Sequence, residues 1–538
     1  MAKGNGERFR MLKLHGLVLG IFWGLTLLIL VVTALFNKSF DPFKYLTPIF
    51  LAGHLSGMAV FEVYCRLQKR HSIYQLYGQL ASIREFGEWS GPKGRDYYAE
   101  PDKRIGTSRR DQENVQSLAH GDLAVESHKS GMDLNRRGVM VRRTRTLRPR
   151  DNRGELVKSI SRGVVIGEGE VFHKRPLLGV SGMALGTLTP QAVKAISIGA
   201  ARAGAIVNTG EGSIASYHVA GGELCQIEFQ FGTGYFGCRT LEGTFSLDAL
   251  IEKIRQYPQI RSIQIKGSQG AKAGHSGNLP KEKITSEIAQ IRGIPMDRDC
   301  VGSGVHTAFV GEEGLVRFIE QIREATGKPV TFKMAVGSVK EFDRLCSAIS
   351  LYPEGAPDAI QIDGGEGGTG SAYMEVFGQA ALPLLDALQI ADLLLRKYHL
   401  RDRVKLIASG QLFQADHIAR AMALGADAVV TARGAKYALG CIAAGLCHKA
   451  GECPSGVANN GKALDVELRA QYLANYLTSL VERLAMFVDP MGITDIGDLV
   501  GTRTQYMDIK DVQIWRLSDV LDRMELEGNN PIDELMTT

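Results

Sequence analysis

Between about residues 177 and 435, short apolar or β-branched runs recur with helical stretches between them, and this alternation constrains the fold more than any other feature. The runs cover 178–182, 205–209, 225–231, 262–266, 330–335, 359–363, 404–409 and 428–432. Amphipathic helical patterns fill most gaps, at Pro190–Ala203, Ser246–Tyr257, Gly314–Thr326, Val339–Ser350 and Ala415–Gly425. Strands that alternate with helices cannot pair as hairpins, so they form a parallel sheet with helical crossovers. Eight such units in roughly 260 residues is the size of a closed (β/α)8 TIM barrel, an α/β fold. An open doubly wound sheet is the alternative, but it rarely needs eight regular units. No Gly-x-Gly-x-x-Gly opens a helix with a ribose-binding acid beyond it, so no nicotinamide domain is expected.

The chain holds 62 glycines in 538 residues, and they gather where the apolar runs end. Asn208 to Gly212 follows the second run, Gly232 to Gly237 the third, Lys266 to Lys272 the fourth and Asp363 to Gly370 the sixth, while Lys333 lies in the fifth. Chemistry in such barrels sits at the C-terminal strand ends. Glycine loops at several consecutive ends, with lysines among them, point to a large planar or phosphorylated ligand. The last two loops, Ser409-Gly410-Gln411 and Ala432-Arg433-Gly434, are placed to cup a phosphate. Glycine there exposes backbone N–H groups, and Arg433 can add a two-pronged contact; the competing role for Arg433 is a rim salt bridge. Lys333 at the barrel mouth suits the edge of a flavin that gains negative charge on reduction, or it snorkels to solvent. Gln230, Lys266, Gln269 and Lys272 are donors suited to flavin carbonyls or a dicarboxylate.

Of the 8 cysteines, Cys441, Cys447 and Cys453 form a C-x5-C-x5-C cluster closed by Pro454. This is no disulfide framework of a small secreted domain. It suits an iron–sulfur cluster; zinc, with His448 as a fourth ligand, is the alternative, and two buried cysteines with one surface thiol is the plain structural one.

Residues 15–36 carry no charge from Gly16 onward and are long enough to cross a bilayer core of roughly 30 Å. A second, weaker apolar stretch spans 46–64 and contains Pro48, His54 and Glu62. The expected arrangement is an N-terminal transmembrane helical hairpin within residues 1–70. Basic residues flank both segments, which places both ends, and the catalytic part, on the cytoplasmic side of the inner (plasma) membrane. A polar connector follows over 71–165, with helices near 72–88, then the barrel over 166–460. A helical tail is expected over 461–538, with Leu464–Phe487 and Val512–Leu526 amphipathic. Net charge is +5, and the basic runs before the barrel lack interleaved aromatics, which argues against nucleic acid as a partner.

Several segments resemble one family. Ser268 to Lys272 followed by Gly277-Asn278-Leu279-Pro280, then Asn208 to Gly212, Gly367 to Gly370 and Cys441 to Val457, resemble in order the synthase domain of glutamate synthases. The whole chain resembles the short FMN-binding members with an N-terminal membrane segment. The resemblance implies FMN and a 3Fe–4S cluster held by Cys441, Cys447 and Cys453. It implies an oxidoreductase acting on CH–NH2 donors, in which 2-iminoglutarate, from 2-oxoglutarate and ammonia, is reduced to L-glutamate. It places Met183, Gly186, Asn208, Thr209, Gln230, Lys266, Gly410 and Gly434, with neighbouring Gln411 and Arg433, at the FMN. Lys333 faces the flavin pyrimidine, and Gln269 and Lys272 lie toward the substrate. Departures cluster on the substrate side: Ala273 for Pro, His275 for Glu, Asp363 and Glu366 where His or Ser and Asp are common, and Ser409 for Asp. The second cysteine gap is one residue longer. No glutaminase domain is apparent, so ammonia or a glutaminase partner supplies nitrogen, and ferredoxin or a reductase subunit supplies electrons. The competing functions are an FMN oxidoreductase for another amino or oxo acid, and a non-enzymatic flavin and iron–sulfur relay subunit.

Overall fold

The computed structural model describes residues 10–36, 42–67, 109–121, 139–142, 151–271, 279–367, 379–443, 446–447, 451–458, 463–502, 506–510 and 513–516. The chain divides into two units, Met1–Ala99 and Glu100–Thr538.

The first unit contains helices α1 (Arg10–Phe36) and α2 (Pro42–Leu67), packed on each other. They enclose the two apolar stretches expected at 15–36 and 46–64, and α2 continues through Pro48. Trp23 Nε1 donates to His54 Nδ1 across the pair at 3.2 Å. Leu17, Ile21, Leu25 and Leu28 stand exposed along α1. Among the described residues, which leave out several side chains of both helices, no helix is long and apolar enough to cross a membrane. The helices expected near 72–88 lie outside the described residues.

The second unit opens with α3 (Arg109–His120), β1 (Val139–Arg142) and α4 (Arg153–Arg162), followed by a hairpin of β2 (Val164–Glu168) and β3 (Val171–Arg175). Then come β4 (Leu178–Val180), α5 (Pro190–Arg202), β5 (Ile206–Asn208), β6 (Gln226–Phe231), α6 (Leu247–Gln256), β7 (Ile260–Lys266), α7 (Ser286–Arg292), α8 (Gly311–Thr326), β8 (Val330–Met334), α9 (Val339–Leu351), β9 (Ala359–Asp363), α10 (Leu384–Lys397), β10 (Lys405–Ser409), α11 (Ala415–Ala423), β11 (Ala428–Thr431) and α12 (Arg433–Ala438). Strands β4 to β11 are parallel and pair in chain order, and β11 closes onto β4. All eight lie within or overlap the apolar runs of the sequence. Serine, threonine and aspartate caps start several helices: Thr189, Ser246, Ser338 and Asp465 each accept a backbone N–H from the first turn, which satisfies donors that have no partner within the helix.

The β2–β3 hairpin plugs the N-terminal end of the barrel. Its Ile166 clusters with Ala359, Ile407, Ala428 and Val430, of which Ala359 and Ala428 begin their strands. Above this apolar floor the barrel interior is polar. Buried Arg175 donates to Glu228 at 3.0 Å, with side chains 1% and 0% exposed. Glu228 also accepts from Asn208, Ser262, Gln264 and Thr331. These residues come from β3, β5, β6, β7 and β8, and each points inward because strand side chains alternate.

The long helix α13 (Val466–Val488) packs on α3, α4, α5 and α11, close to the expected 464–487. A Cβ at Gly199 would stand 2.5 Å from Ala470 O, so glycine there is what lets α13 approach α5. The helix expected over 512–526 is corrected in its first part: Gln513–Arg516 is a strand, β13, antiparallel to β12 (Tyr506–Lys510), which pairs in turn with β1. The run Ile514-Trp515 after Gln513 satisfies strand preference as well as helix amphipathicity, and it pairs with β12, whose other edge is held by the sequence-distant β1. Residues 517–526 lie outside the described residues.

Leaving Arg175 buried and unpaired costs about 3–5 kcal/mol. Glu228→Gln is therefore expected to lower stability by an amount of that order in chemical denaturation followed through the barrel's aromatic signal. Lys158→Ala, which removes an exposed i,i+3 pair with Glu155, is expected to change it by under about 0.5 kcal/mol.

Candidate active site at the barrel mouth

Lys266 and Lys333 end adjacent strands and are cross-strand partners in the β7–β8 register. Both are buried, at 4% and 6% exposure. Two ammonium groups side by side in a dry site are tolerable only with counter-charges. Each has one: Lys266 Nζ lies 3.0 Å from Glu211 and Lys333 Nζ 3.3 Å from Asp363. Lys266 also donates to Gln269 Oε1 at 2.5 Å. Burial pulls the Lys266 ammonium below its usual range, and Lys333 pushes the same way, while Glu211 and Asp363 oppose it. Asp363 further accepts the Gly270 N–H at 2.9 Å.

The other residues expected around a flavin form the wall of the mouth. Asn208 Nδ2 donates to Glu228 and Gln264, and its Oδ1 accepts the Gly210 N–H. Thr209 Oγ1 accepts the Gln230 N–H, and Gln230 Nε2 donates to Gln264 Oε1. The loop holding Met183 presses against them: a Cβ at Gly182 would stand 2.5 Å from Asn208 Oδ1, and one at Gly210 would stand 2.6 Å from Ala184 N. Gly186, at φ +95°, lies under Leu279 and Ile288. Those two belong to the long excursion between β7 and α8, which also carries Gln269. Lys272 lies outside the described residues.

His306, on the same excursion, has Nε2 2.9 Å from Lys266 O and Nδ1 3.1 Å from Tyr235 Oη. Burial pulls its pKa down, so the imidazole is neutral. A carbonyl only accepts, so Nε2 carries the proton and Nδ1 accepts from Tyr235, whose oxygen takes the N–H groups of Thr307 and Ala308. Arg292 of α7 is buried, donates to Leu185 O and lies over the Phe236 ring. A Cβ at Gly212 would stand 3.1 Å from its Nη2. Glu211, His306 and Arg292 were not picked out from sequence. None of the three lies on a strand, so strand alternation does not mark them; the polar residue at every second position of otherwise apolar strands does mark Glu228 and Gln264 as inward-facing.

The structure places Gly410, Gln411, Arg433 and Gly434 at the ends of β10 and β11. Gln411 has φ +51°, and its Nε2 donates to Glu366 O. Gly434 N donates to Thr431 Oγ1, and a Cβ at 434 would stand 2.3 Å from Tyr476 Oη of α13. Tyr476 donates in turn to Phe413 O at 2.9 Å, so the tail helix buttresses both loops from behind. Burial lowers the Arg433 pKa, opposed by Tyr437, Cys441 and Glu366. The Glu366 carboxylate accepts the Leu384 N–H at the start of α10, lies near Gly410, and is pushed up by burial.

Cys441, Cys447 and Cys453 share a neighbourhood: burial raises the Cys441 thiol, and Cys447 and Cys453 both add to that shift. Burial also opposes ionisation of Cys453, but hydrogen bonds from Ser455, Val457 and Ala458 outweigh it and lower its pKa. Lys283 donates to Cys447 O at 2.7 Å. Among the described residues, no three His, Cys, Asp or Glu side chains form a group that could hold a metal ion. Residues 444–445 and 448–450, His448 included, lie outside them.

A conserved region of glutamate synthase matches residues 142–494. The chain belongs to the glutamate synthase family. A glutamate synthase large subunit-like protein of Bacillus subtilis is 39% identical over 339 residues, 61% of this chain and 63% of that one. An archaeal glutamate synthase [NADPH] of Methanocaldococcus jannaschii is 35% identical over 248 residues, 45% of this chain and 48% of that one. The chain thus spans less than two thirds of the length of these relatives. Among solved structures, a mandelate oxidase is similar at a TM-score of 0.43 and 14% identity, covering 74% of this chain and 91% of that one.

The barrel mouth fits a flavin mononucleotide by its donor chemistry. Amides and ammonium groups converge at the ends of β6 to β8, and glycine backbone with a buried guanidinium stands at the ends of β10 and β11, where a phosphate needs both.

Two outcomes follow. Gly434→Ala is expected to weaken FMN retention by roughly tenfold or more, the effect of about 1.4 kcal/mol, and Gly434→Ala with Tyr476→Phe is expected to recover part of it; equilibrium dialysis measures both. His218, buried behind Thr209, has its pKa lowered from 6.5 to about 4 by burial. Between those values the unfolded chain binds a proton that the native one does not. Stability therefore falls by about 3 kcal/mol as pH drops through that window, and His218→Asn is expected to flatten the slope in denaturation curves at pH 7 and pH 4.5.

Proposed function

We propose that this glutamate synthase family chain is an FMN-dependent oxidoreductase that forms L-glutamate from 2-oxoglutarate and ammonia by way of 2-iminoglutarate. The observation that carries the reading is the pair of buried lysines on adjacent strand ends, each held by a carboxylate and surrounded by amides. Buried, paired charges at a barrel mouth cost stability and are characteristic of sites that bind charged ligands. Bound FMN would supply a hydride, and it would be held by Met183, Gly186, Asn208, Thr209, Gln230 and Lys266 around the ring and by Gly410, Gln411, Arg433 and Gly434 at the phosphate. Lys333 would lie at the ring's pyrimidine edge. Gln269 and Lys272, on the loop after β7, would orient the carboxylates of the oxo acid. Neutral His306 holds that loop's far end over Lys266 and helps exclude water.

The three cysteines are proposed to hold an iron–sulfur cluster, and the support for this is their C-x5-C-x5-C spacing closed by Pro454. Electrons would come from ferredoxin or a reductase subunit, and nitrogen from ammonia or a glutaminase partner. The α1–α2 hairpin is proposed as a membrane anchor, with the barrel on the cytoplasmic side. Its support is the uncharged stretch from Gly16 to Phe36 and the exposed apolar side chains of α1. A second reading, reduction of another oxo acid on the same scaffold, is favoured by Asp363, which pairs with a lysine on the side where this sequence departs from the family pattern.

The test is anaerobic. Full-length protein is expected in the membrane fraction and to need detergent for release. After photoreduction, the flavin absorbance is expected to return only when 2-oxoglutarate and ammonium are both added, and iron and acid-labile sulfide are expected to copurify. Reoxidation by several oxo acids equally well would move the assignment to the second reading. Protein that retains no flavin after reconstitution would overturn both.

A further inference from the structure

Asp363 ends β9, and its carboxylate does two things at once. One oxygen lies 3.3 Å from Lys333 Nζ, and the other accepts the Gly270 N–H at 2.9 Å. The Gln269–Gly270–Ala271 turn is pressed against the end of β9: a Cβ at Gly270 would fall 1.8 Å from Gly364 O and 3.1 Å from Asp363 O. The same turn is tied to β8, where Gly267 N donates to Lys333 O at 2.8 Å and Ser268 Oγ accepts the Ala335 N–H at 2.9 Å. The strand ends carrying Lys266, Lys333 and Asp363 therefore form one rigid unit, and the carboxylate at its centre sets the charge beside Lys333.

We propose that Asp363 is a positioning residue that cancels the charge of Lys333 and fixes the turn bearing Gln269, so that the flavin edge in this chain faces a neutral pair instead of a free cation. The proposal rests on the FMN reading given above. Its consequence is chemical. An oxidised flavin beside an unpaired positive charge accepts nucleophiles and electrons readily, because the charge stabilises the anion that forms at its pyrimidine edge. Beside a neutral pair it accepts them less readily.

Sulfite reads this directly. Its sulfur lone pair forms a bond to flavin N5, the two electrons enter the ring system, and the resulting negative charge rests at the pyrimidine edge; no other reductant takes part. The visible flavin band bleaches in proportion. Full-length, FMN-loaded protein at neutral pH is titrated with sulfite as wild type, Asp363→Asn, Lys333→Met and the double variant. Asp363→Asn is expected to bind sulfite at least roughly tenfold more tightly than wild type, as expected when one charge at this distance loses its partner. The double variant is expected to lose that gain and match Lys333→Met. Asp363→Ser, which lacks a carboxylate, is expected to behave as Asp363→Asn and serves if that variant does not fold. Unchanged or weaker sulfite binding in an Asp363 variant that retains FMN would overturn the proposal, because a merely structural role would change FMN content or melting temperature without tightening sulfite. Wild-type protein that holds no FMN would overturn the functional reading and this inference together; wild type that holds FMN beside unresponsive Asp363 variants would overturn this inference alone.

Discussion

The ion pair between Arg175 and Glu228, closed off from water inside the barrel, is the interaction on which the rest of the structure depends. Desolvating a carboxylate and a guanidinium costs several kcal/mol for each group, and the cost is offset to the extent that the carboxylate's lone pairs find partners. Glu228 meets that condition through Arg175, Asn208, Ser262, Gln264 and Thr331. Gln264 carries the network on to Gln230 and Gln361. The hairpin plug at the barrel's floor is therefore bonded, residue by residue, to the wall of its mouth. A slip of one residue in any of these strands would turn its polar side chain toward the helices and strand it there. The network thus fixes register as well as closing the barrel.

Much of this was legible in the sequence because it is local. The strands announce themselves as short apolar runs, and the helices between them by spacing and by caps such as Thr189 and Ser246. The candidate site was legible for the same reason: Asn208, Lys266, Lys333 and Gly410 each sit at the end of a run, and strand ends at one face of a barrel converge. The partners of those residues were harder to see. Arg175 and Glu228 are 53 residues apart, and Asp363 and Gly270 are 93 apart. Nothing in a one-dimensional pattern links them until the barrel brings strand ends together. The alternation in Gln226-Ile-Glu-Phe-Gln-Phe and Ser262-Ile-Gln-Ile-Lys does carry the information that these polar residues face inward. It became readable as a network only when the closed geometry showed that "inward" meant toward one another.

The elements that sequence placed least well are those whose shape or use is set by what they pair with or pack on. Gln513–Arg516 reads equally well as helix or strand, and pairing with β12 decides for strand. Helix α13 was recognisable as a helix, but its use was not: Gly199 admits its backbone to α5, and Tyr476 reaches from it to the backs of Phe413 and Gly434. A loop expected to hold a phosphate through its exposed glycine N–H groups is also held in place from behind by a tyrosine hydroxyl more than forty residues further on. That rigidity favours binding, because ordering a loose loop around a ligand costs free energy that a preformed one does not lose.

The mouth itself is built on charge cancellation. Two lysines that are direct cross-strand neighbours would repel each other strongly in a dry site, so each needs a carboxylate, and the two carboxylates come from different loops, Glu211 after β5 and Asp363 at the end of β9. With His306 neutral, these four groups sum to zero. An anionic ligand that reaches them therefore gains little from long-range attraction and must compete with a carboxylate already in place for each ammonium. Affinity then turns on geometry: a ligand oxygen displaces Glu211 or Asp363 only if it meets the lysine at equal distance and leaves the displaced acid a partner of its own. Asp363 has one in the Gly270 N–H, whose position is fixed by the contact with Gly364. Exchange of partners at a neutral cluster discriminates among ligands by shape more sharply than an open positive patch can, because every misplaced oxygen leaves a buried charge unpaired.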